Sequence, residues 1–516
     1  MNRKEKEQTR DVLVRYNQSE PIKKDVQVSF NGGYLFLQKL YHQLGLHKIC
    51  HEISGRYKFT FDLDAILSRL IYGRILFPSS KLNTFQQSKR LLEQPAFKLQ
   101  HVYRALEVIA KETDFIQAEL YKNSLSVSKR NDRILYYDCT NYFFEIEEES
   151  GLKQYGYSKD HKPNPIVQMG LLMDGDGIPL AFGIHSGNTN EQTTLRPLEE
   201  KILKDFELSQ FVVCTDAGLS STENRLFNTK KDRAFITTQS VKKLKKHLKA
   251  WALDTKGWRL AGSETTYDIA LFEQDDQAYE RYREETFYKQ RWINEDGLQQ
   301  KLVVTYSLKY RDYQRQIRNR QLERAARLVA KNPATIRKKN QNDFKRFISS
   351  SNVTKEGEVA DRTLYRIDQD AIADEAQYDG FYAVCTNLED DASAIIKINH
   401  RRWEIEECFR IMKSEFKARP VYLSRDDRIK AHFTTCFLAL TLYRYLEKRL
   451  DERFTTHEIV TGLRGMDFCL VPSEGYIPTY TRNDFTDALH GTFGFRTDYQ
   501  IVSSKMMKKI FRDTKK

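Results

Sequence analysis

The sequence lacks the features by which metal, membrane and secretory segments are usually recognised. Its seven cysteines are scattered over 516 residues and no two have CxxC spacing, which excludes the usual zinc patterns and argues against a disulfide framework. We expect most of them to be small buried side chains. No stretch of about 18 uncharged apolar residues is present, so no membrane span is predicted. The opening MNRKEKEQTRDVLVRYNQSE has no apolar core of a signal peptide, and a cytoplasmic address is expected.

Acidic residues are outnumbered by basic ones. Lys and Arg total 84 against 71 Asp and Glu, a net charge of +13, while 40% of residues are hydrophobic and 30% charged. The composition is that of a folded protein. A basic excess favours a polyanionic partner, because phosphate neutralisation drives much nucleic-acid binding. Many basic proteins bind no DNA, so charge alone leaves the question open.

Hydrophobic periodicity divides the chain. From about residue 34 to 123, segments such as FDLDAILSRLIYGRILF repeat apolar residues every three or four positions and predict helices. From Arg133, RILYYDCTNYFFEIE reads as a strand, and PIVQMGLLMDGDGIPLAFGIHSG reads as two strands joined at the Asp174–Gly177 turn. A helix (EQTTLRPLEEKILKDF) and two more strands (QFVVCTDAGLSS and RAFITTQS) follow. This order predicts an α/β fold with an RNase H-like core, a mixed five-stranded sheet with flanking helices.

The strand and helix order of the α/β core stops after about residue 240. A charged stretch with strand-like KLVVTYSLKY follows, and between Arg311 and Arg346 it holds twelve Lys or Arg against three Asp or Glu. Such a helix could contact DNA phosphates or be a solvated surface. Strand-like GFYAVCTNL and another helix come next. We therefore predict a helical N-terminal domain at 1–128, the α/β core at 129–240 and 378–450, a strand-containing insertion at 241–377, and a C-terminal region at 451–516.

Two aspartates follow strand-like runs. Asp138 follows ILYY and Asp216 follows FVVCT. A carboxylate in such a position is costly to bury unless it is paired or holds a cation, although an Asp often caps a turn. Ligand sites of open α/β sheets lie at the carboxyl ends of strands. Two such aspartates could therefore face one crevice.

A glutamate is the third candidate. We expect one helix from Asn399 to Lys417, in which a rotation of about 100° per residue places Glu406 beside the apolar stripe, flanked by Arg402 and Lys413. The far side should be solvated and carries Glu404, Glu407 and Glu415. The ordinary alternative is a surface pair between Glu406 and Arg402, worth a few tenths of a kcal/mol.

Shared chemistry connects the three acids. Two divalent cations about 4 Å apart need several hard oxygen ligands from separate elements. Asp138, Asp216 and Glu406 would supply them, one ion activating the attacking oxygen and the other stabilising the leaving oxygen. Arg402 and Lys413 would lie where phosphates pass, since Arg binds phosphate bidentately and Lys acts as a point charge.

These residues resemble the DDE transposases of bacterial insertion sequences, in the branch marked by Tyr, two residues, Arg, three residues, Glu, six residues and Lys. Here that frame holds Asn399, Arg402, Glu406 and Lys413, with Asn in place of Tyr. YYDCTNYFFE, GYSKDHKPNPIVQMGLLMDGDGIPLAF and CTDAGLSSTEN also look like the family. The resemblance covers roughly residues 130–240 and 378–425 well.

The resemblance implies a cut-and-paste transposase with an RNase H-like core and two Mg²⁺ (or Mn²⁺) ions. Asp138, Asp216 and Glu406 would be the catalytic and metal-binding residues, and Asn399, Arg402 and Lys413 would take the DNA-phosphate positions. Hydrolysis at a transposon end would free a 3′-hydroxyl that attacks a phosphodiester, through a hairpin on the excised end.

The partners implied are double-stranded DNA, both the terminal inverted repeats and the target, and a second copy of the chain in a synaptic complex. Residues 1–128 would bind the DNA ends, residues 451–516 would serve dimerisation or DNA contact, and the protein would associate with the nucleoid. Two alternatives stay open: an RNase H-like nuclease without strand transfer, and a DNA-binding protein whose core is catalytically silent.

Overall fold

A computed structural model describes residues 12–14, 17–21, 23–24, 26–295, 297–331, 343–353 and 359–516. Part of the polar N-terminal stretch and residues 332–342 of the basic stretch lie outside this set. The chain divides into two compact units, the first made of Met1–Val213 and Arg401–Lys516 and the second of Cys214–His400. The five-segment division remains a prediction. No helix in the described part is long and apolar enough to cross a bilayer.

The N-terminal part of the first unit is helical, as the periodicity predicts. Its helices are α1 (Tyr34–Gln43), α2 (Leu46–Arg56), α3 (Leu63–Leu76), α4 (Lys81–Ser88), α5 (Leu99–Lys111) and α6 (Thr113–Ser124). The local sequence explains two of the starts. Asp62 accepts a hydrogen bond from the Ala65 amide at the beginning of α3, and Ser80 accepts one from Asn83 at the beginning of α4.

Three antiparallel strands follow. They are β2 (Ile134–Phe143), β3 (Ile166–Asp174) and β4 (Pro179–Ser186), with β3 in the middle. Helix α7 (Leu195–Asp205) packs on β3 and β4. Strand β5 (Val212–Thr215) begins beside β2, where the Val212 amide donates to the Arg133 carbonyl at 2.8 Å. The mixed α/β class and the predicted hairpin are confirmed.

The turn of that hairpin has a specific backbone requirement. Asp174 is fully buried, and its Oδ1 accepts from the amides of Asp176 at 3.0 Å and Ile178 at 2.9 Å. Gly177 has φ +82°, and a Cβ there would lie 2.0 Å from Oε2 of Glu404. Glycine is therefore needed both for the turn and for the close approach of Glu404.

Helix α15 (Asp426–Arg449) is the core of the first unit. It is buried almost continuously from Ile429 to Glu447 and packs against α1, α3, α5 and β4. A helix that is apolar on most faces belongs in the interior. The remaining elements of this unit are β1 (Ser29–Asn31), α14 (Trp403–Arg410), α16 (Thr456–Gly465), β14 (Asp467–Val471), β15 (Gly475–Pro478), α17 (Asp484–Phe493), β16 (Val502–Ser503) and α18 (Ser504–Asp513). The four short strands form one sheet in the order β1-β14-β15-β16.

The second unit contains the end of β5 and a sheet in the order β6-β13-β10-β9-β7-β8. These strands are β6 (Ala234–Gln239), β7 (Trp258–Leu260), β8 (Thr266–Tyr267), β9 (Phe287–Glu295), β10 (Leu298–Tyr306) and β13 (Phe381–Thr386). A separate hairpin joins β11 (Ile348–Val353) and β12 (Val359–Ile367). The helices are α8 (Thr222–Phe227), α9 (Lys246–Leu253), α10 (Asp276–Tyr282), α11 (Leu308–Lys331), α12 (Gln369–Ala376) and α13 (Ala392–His400).

The structure also bears on the predictions for the cysteines and for the basic stretch. Six of the seven cysteines are buried and Cys469 is half-buried, which confirms their reading as small apolar side chains. In the basic stretch, Arg311 is nearly buried and pairs with Glu273 at 2.6 Å, and Arg318 chelates Asp379 with both terminal nitrogens. These two arginines are paired with acids of the second unit, while the proposed DNA contact of α11 stays a prediction.

Candidate active site

Asp138 lies in the middle of a strand, not at its end as the sequence pattern predicts. Strand β2 continues to Phe143 because residues beyond Asp138 keep pairing with β3, Thr140 with Met169 and Tyr142 with Val167. The side chain is half-buried, and its Oδ1 accepts a hydrogen bond from the Cys139 amide at 2.8 Å. A partly accessible carboxylate on a strand with buried neighbours is held rigidly and can accept a ligand.

Two lysines surround this part of β2. Nζ of Lys159 donates to the Cys139 carbonyl at 2.5 Å and pairs with Glu191 at 3.0 Å. Burial alone would lower the pKa of Lys159, but the charges of Asp138 and Glu191 outweigh it and raise that pKa. Nothing in the sequence singled out Lys159 or Glu191, although Lys159 lies within the family-like stretch GYSKDH.

Lys413 is the second of these lysines and was predicted at a phosphate position. Its Nζ donates to Thr140 Oγ1 at 2.7 Å, two residues from Asp138. Burial and, to a smaller extent, the charge of Lys159 lower its pKa to about 8 against the opposing charge of Asp138. The structure therefore brings Lys413 and Asp138, 275 positions apart in sequence, into one electrostatic environment.

Asp216 follows β5 directly, as predicted. Its side chain is half-buried, and Oδ1 accepts from the Gly218 amide at 2.5 Å. Its carbonyl accepts from the hydroxyl of Thr237 on β6 at 3.3 Å. The turn-capping role that is the ordinary alternative for such an Asp is thus present. It engages one carboxylate oxygen and does not prevent the other from binding an ion.

The predicted single helix around Glu406 is wrong. Helix α13 ends at His400, a turn follows at Arg401 and Arg402, and α14 begins at Trp403. A π-helical turn then spans Ile411–Glu415, closed by the Phe416 amide on the Ile411 carbonyl at 3.0 Å. A rotation of about 100° per residue holds only within a regular α-helix, and a π turn spaces its bonds five residues apart. Angles calculated across the whole segment therefore fail.

The assignment of buried and exposed glutamates is also corrected, for a reason that lies outside the helix. Glu404 was expected to be solvated but is only 6% exposed. Its Oε1 accepts from Arg401 at 2.8 Å and its Oε2 from Arg444 of α15 at 3.1 Å. Arg444 is itself buried, so it requires a negative partner. An arginine inside the apolar run FLALTLYRYL was the signal for a buried acid elsewhere.

Glu406, in contrast to Glu404, is exposed. Its side chain is 58% exposed and lies 3.2 Å from the guanidinium of Arg402. The predicted border with the buried face is therefore wrong, and the i, i+4 pair is present. Glu407 and Glu415 are half-buried, not fully solvated.

Helix α14 nevertheless lies against the strand that carries Asp138. It packs on β2, Cys408 Sγ lies 3.7 Å from Met173 Sδ on β3, and the Tyr142 hydroxyl lies 3.7 Å from Met412 Sδ in the π turn. These contacts fix the helix against β2 and β3. The exposed Glu406 carboxylate is thus carried by an element that is anchored to the Asp138 strand.

Asn399 lies in an internal network of the second unit. It is 8% exposed, and its Nδ2 donates to the Tyr382 hydroxyl at 3.1 Å. That hydroxyl also shares a hydrogen bond of 2.7 Å with Thr238. Its proposed phosphate contact remains a prediction.

The predicted acids suit a hard divalent cation. All three are carboxylates with at least partial exposure, and oxygen is the ligand that Mg²⁺ and Mn²⁺ prefer. A different group, Asp487, His490 and Asp498, has ligand atoms within 4.8 Å of one another. Two guanidiniums already neutralise its carboxylates, since Arg496 pairs with Asp487 at 3.2 Å and Asp498 at 2.6 Å, and Arg482 with Asp487 at 2.7 Å. It is better described as an ion-pair network.

Comparison with protein-family models gives one match that is long enough to assign the chain to a family. The family model described as "Transposase DDE domain" matches residues 142–442, which is more than half of the chain. The match includes Asp216 and Glu406 and begins four residues after Asp138. Among solved structures, the cryo-EM structure of a piggyBac transposase synaptic complex with hairpin DNA has 7% identity and a TM-score of 0.39, covering 84% of this chain and 79% of that chain. No curated protein matches the chain.

Proposed function

Because the chain belongs to the transposase DDE domain family, we propose that it binds transposon-end DNA and catalyses metal-dependent strand cleavage and strand transfer. The family match over residues 142–442 carries this proposal. The chain order of three antiparallel strands, a helix and further strands supports an RNase H-like core, interrupted by the insertion at 241–377. Members of this family generally use divalent metal ions, and DNA is their partner.

Asp138, Asp216 and Glu406 are proposed to hold two Mg²⁺ or Mn²⁺ ions. When bound, such ions activate the attacking oxygen and stabilise the leaving oxygen of a phosphodiester. The protein's own contribution is rigidity: Asp138 is held by β2, Asp216 by the turn after β5, and Glu406 by a helix packed on β2. The pair between Arg402 and Glu406 would open when the carboxylate takes an ion.

The cations near Asp138 are proposed to receive the DNA backbone. Arg402 in the turn before α14 and Lys413 in the π turn would bind phosphates next to the scissile bond, with Asn399 in the first position of the signature. Lys413 lies beside Asp138 and has a lowered pKa. An approaching phosphate would favour its charged form, so Lys413 would hold its proton in the DNA complex.

The assembly is proposed to be a homodimer on two transposon ends, acting in the cytoplasm at the nucleoid. Residues 1–128 would bind the end sequences, and residues 451–516 would contact the partner or DNA. The basic excess of the chain supports extended contact with phosphates.

A strand-transfer assay separates this function from its alternatives. Pre-cleaved end DNA, a target plasmid and Mg²⁺ should yield joined product with the wild-type chain. Nicking without joining would identify a nuclease of the same core instead. DNA binding with neither reaction would identify a catalytically silent protein. The matched control is Asp138→Asn, which should bind the same DNA without joining it.

A further inference from the structure

A second site lies within the first unit, apart from the carboxylates. It is a cavity of about 380 Å³ between α3, the loop into α4, α5, α15 and the segment after the π turn. We call it the cationic pocket, defined by Arg74, Ser80, Lys81, Lys417, Arg419 and His432. Its volume falls within the range of roughly 300–1,000 Å³ that is usual for ligand sites.

The charges of this pocket have one sign. Four of its lining residues are Lys or Arg, and none of the described lining residues is acidic. Arg419 pairs with Asp160, which does not line the cavity. The guanidinium of Arg74 donates only to neutral carbonyls among the described residues, those of Phe416 at 3.0 Å, Ser79 at 3.4 Å and Lys417 at 3.5 Å. Its buried Nε has no hydrogen-bond partner among the described residues.

Lys81 is the most unusual member of the pocket. It is 7% exposed, and within the described chain its ammonium has neither a hydrogen bond nor an ion pair. Burial, with a smaller contribution from the charge of Arg74, lowers the pKa of Lys81 to about 7. A buried cation without a counter-ion is strongly unfavourable. An anion bound in the pocket would supply the missing counter-charge and favour the charged form of Lys81.

The start of α4 adds to this positive field. Ser80 is the N-cap, its Oγ accepting from the Asn83 amide at 3.2 Å, and Lys81 is the first residue of an eight-residue helix. Helix N-termini present amide donors and a partial positive charge, which suits phosphate groups. The helix end and the unpaired Lys81 thus favour the same kind of ligand.

The rest of the lining is apolar and aromatic. Pro78, Tyr103, Pro420 and Tyr422 form parts of the wall, and Tyr422 is 68% exposed. Aromatic rings next to phosphate-binding cations are the usual platform for a nucleotide base. A small inorganic anion would leave this part of the cavity unused.

The pocket is connected to the strand of Asp138. The Val421 amide donates to the Phe143 carbonyl at 2.9 Å, and the Glu145 amide donates to the Val421 carbonyl at 3.1 Å. Phe143 is five residues after Asp138 on β2, so the pocket wall meets β2 about 17 Å along the strand from that carboxylate. One DNA molecule can span this distance, since it corresponds to about five base-pair steps.

We propose that the cationic pocket binds a nucleotide of the DNA substrate, with Lys81 and Arg74 on its phosphate and Tyr422 against its base. The choice of DNA as the source of the nucleotide rests on the proposed function. The other source of the same chemistry is a free nucleotide.

Fluorescence anisotropy with a labelled oligonucleotide tests the proposal. Lys81→Met should weaken DNA binding about five- to tenfold and reduce the slope of log affinity against log salt by about one. Tyr422→Ala should weaken binding by a similar factor without changing that slope, and its exposed position keeps the fold intact. The matched control is Lys204→Met, since Lys204 is an exposed lysine on α7 of the same unit, outside the segments proposed to bind DNA, and this variant should bind DNA as the wild type does.

Unchanged affinity and salt slope in both pocket variants would overturn the proposal. A second arm uses dAMP and inorganic phosphate as competitors. If Lys81→Met weakens dAMP binding but leaves DNA affinity unchanged, the DNA assignment is refuted. The Asp138→Asn chain should show the same dependence on Lys81. The cleavage assay and the binding assay therefore test different proposals. If DNA binding depends on Lys81 but the wild-type chain cleaves no DNA, the proposed catalysis fails and the pocket proposal stands.

Discussion

The two glutamates of α14 should separate stability from catalysis when each is replaced. Glu404→Ala removes one partner of a buried pair whose side chains are only 8% and 5% exposed. Breaking such a pair typically costs about 3–5 kcal/mol, because a charge stays buried and uncompensated. Arg444 keeps its contact with Glu447, so we expect a loss of about 2–4 kcal/mol.

Glu406→Gln should have the opposite profile. Its side chain is 58% exposed and pairs with Arg402, four residues earlier in the turn before α14. Surface pairs at this spacing contribute about 0.3–0.5 kcal/mol, so stability should stay within that margin. Strand cleavage should be lost, since a carboxylate ligand becomes a neutral amide.

Urea denaturation followed by circular dichroism gives the stability, and a Mg²⁺-dependent cleavage assay gives the activity. Both variants differ from the wild type by one carboxylate on one helix, so each is the control for the other. Equal destabilisation by the two substitutions, or normal cleavage by Glu406→Gln, would refute the division of roles.

Three further predictions concern single residues. Lys81→Met should stabilise the protein by about 2–4 kcal/mol at or below pH 7, because the lowered pKa means that the folded state resists the charged form. The gain should vanish as the pH rises towards the ordinary lysine pKa, and a gain independent of pH in urea titrations would contradict it. Gly177→Ala should cost about 1–3 kcal/mol, since the added Cβ meets Glu404 at 2.0 Å; an unchanged urea midpoint would disprove it. Lys413→Ala should weaken DNA binding and lower the salt slope by about one, whereas an identical slope would remove Lys413 from the phosphate contacts.

Much of the fold is local enough to be read from sequence. The runs around Asp138, the Asp174–Gly177 hairpin and the stretch before Asp216 alternate or cluster apolar residues over short spans, and all became strands. Such patterns report which face of an element is buried without reference to distant residues. The signature positions from Asn399 to Lys413 come from a resemblance in sequence spacing, and their roles stay predictions.

Features that depend on distant contacts could not be predicted. Glu404 is buried because Arg444 meets it from another helix, and the turn at Arg401 and the π turn shift the helical phase. Lys81 in the break SSKLN looks like any surface lysine. Its burial comes from chain that folds over it more than 300 positions later. Sequence spacing carries no information about such pairings.

Manganese binding is the most direct test of the central claim that three carboxylates hold a pair of divalent ions. Electron paramagnetic resonance of the wild-type complex with pre-cleaved end DNA should report two Mn²⁺ ions per active site. Asp138→Asn, Asp216→Asn and Glu406→Gln should each reduce that number, while Glu407→Gln, a neighbouring acid paired with Arg410, should not. Retention of both ions in any of the three triad variants would contradict the assignment.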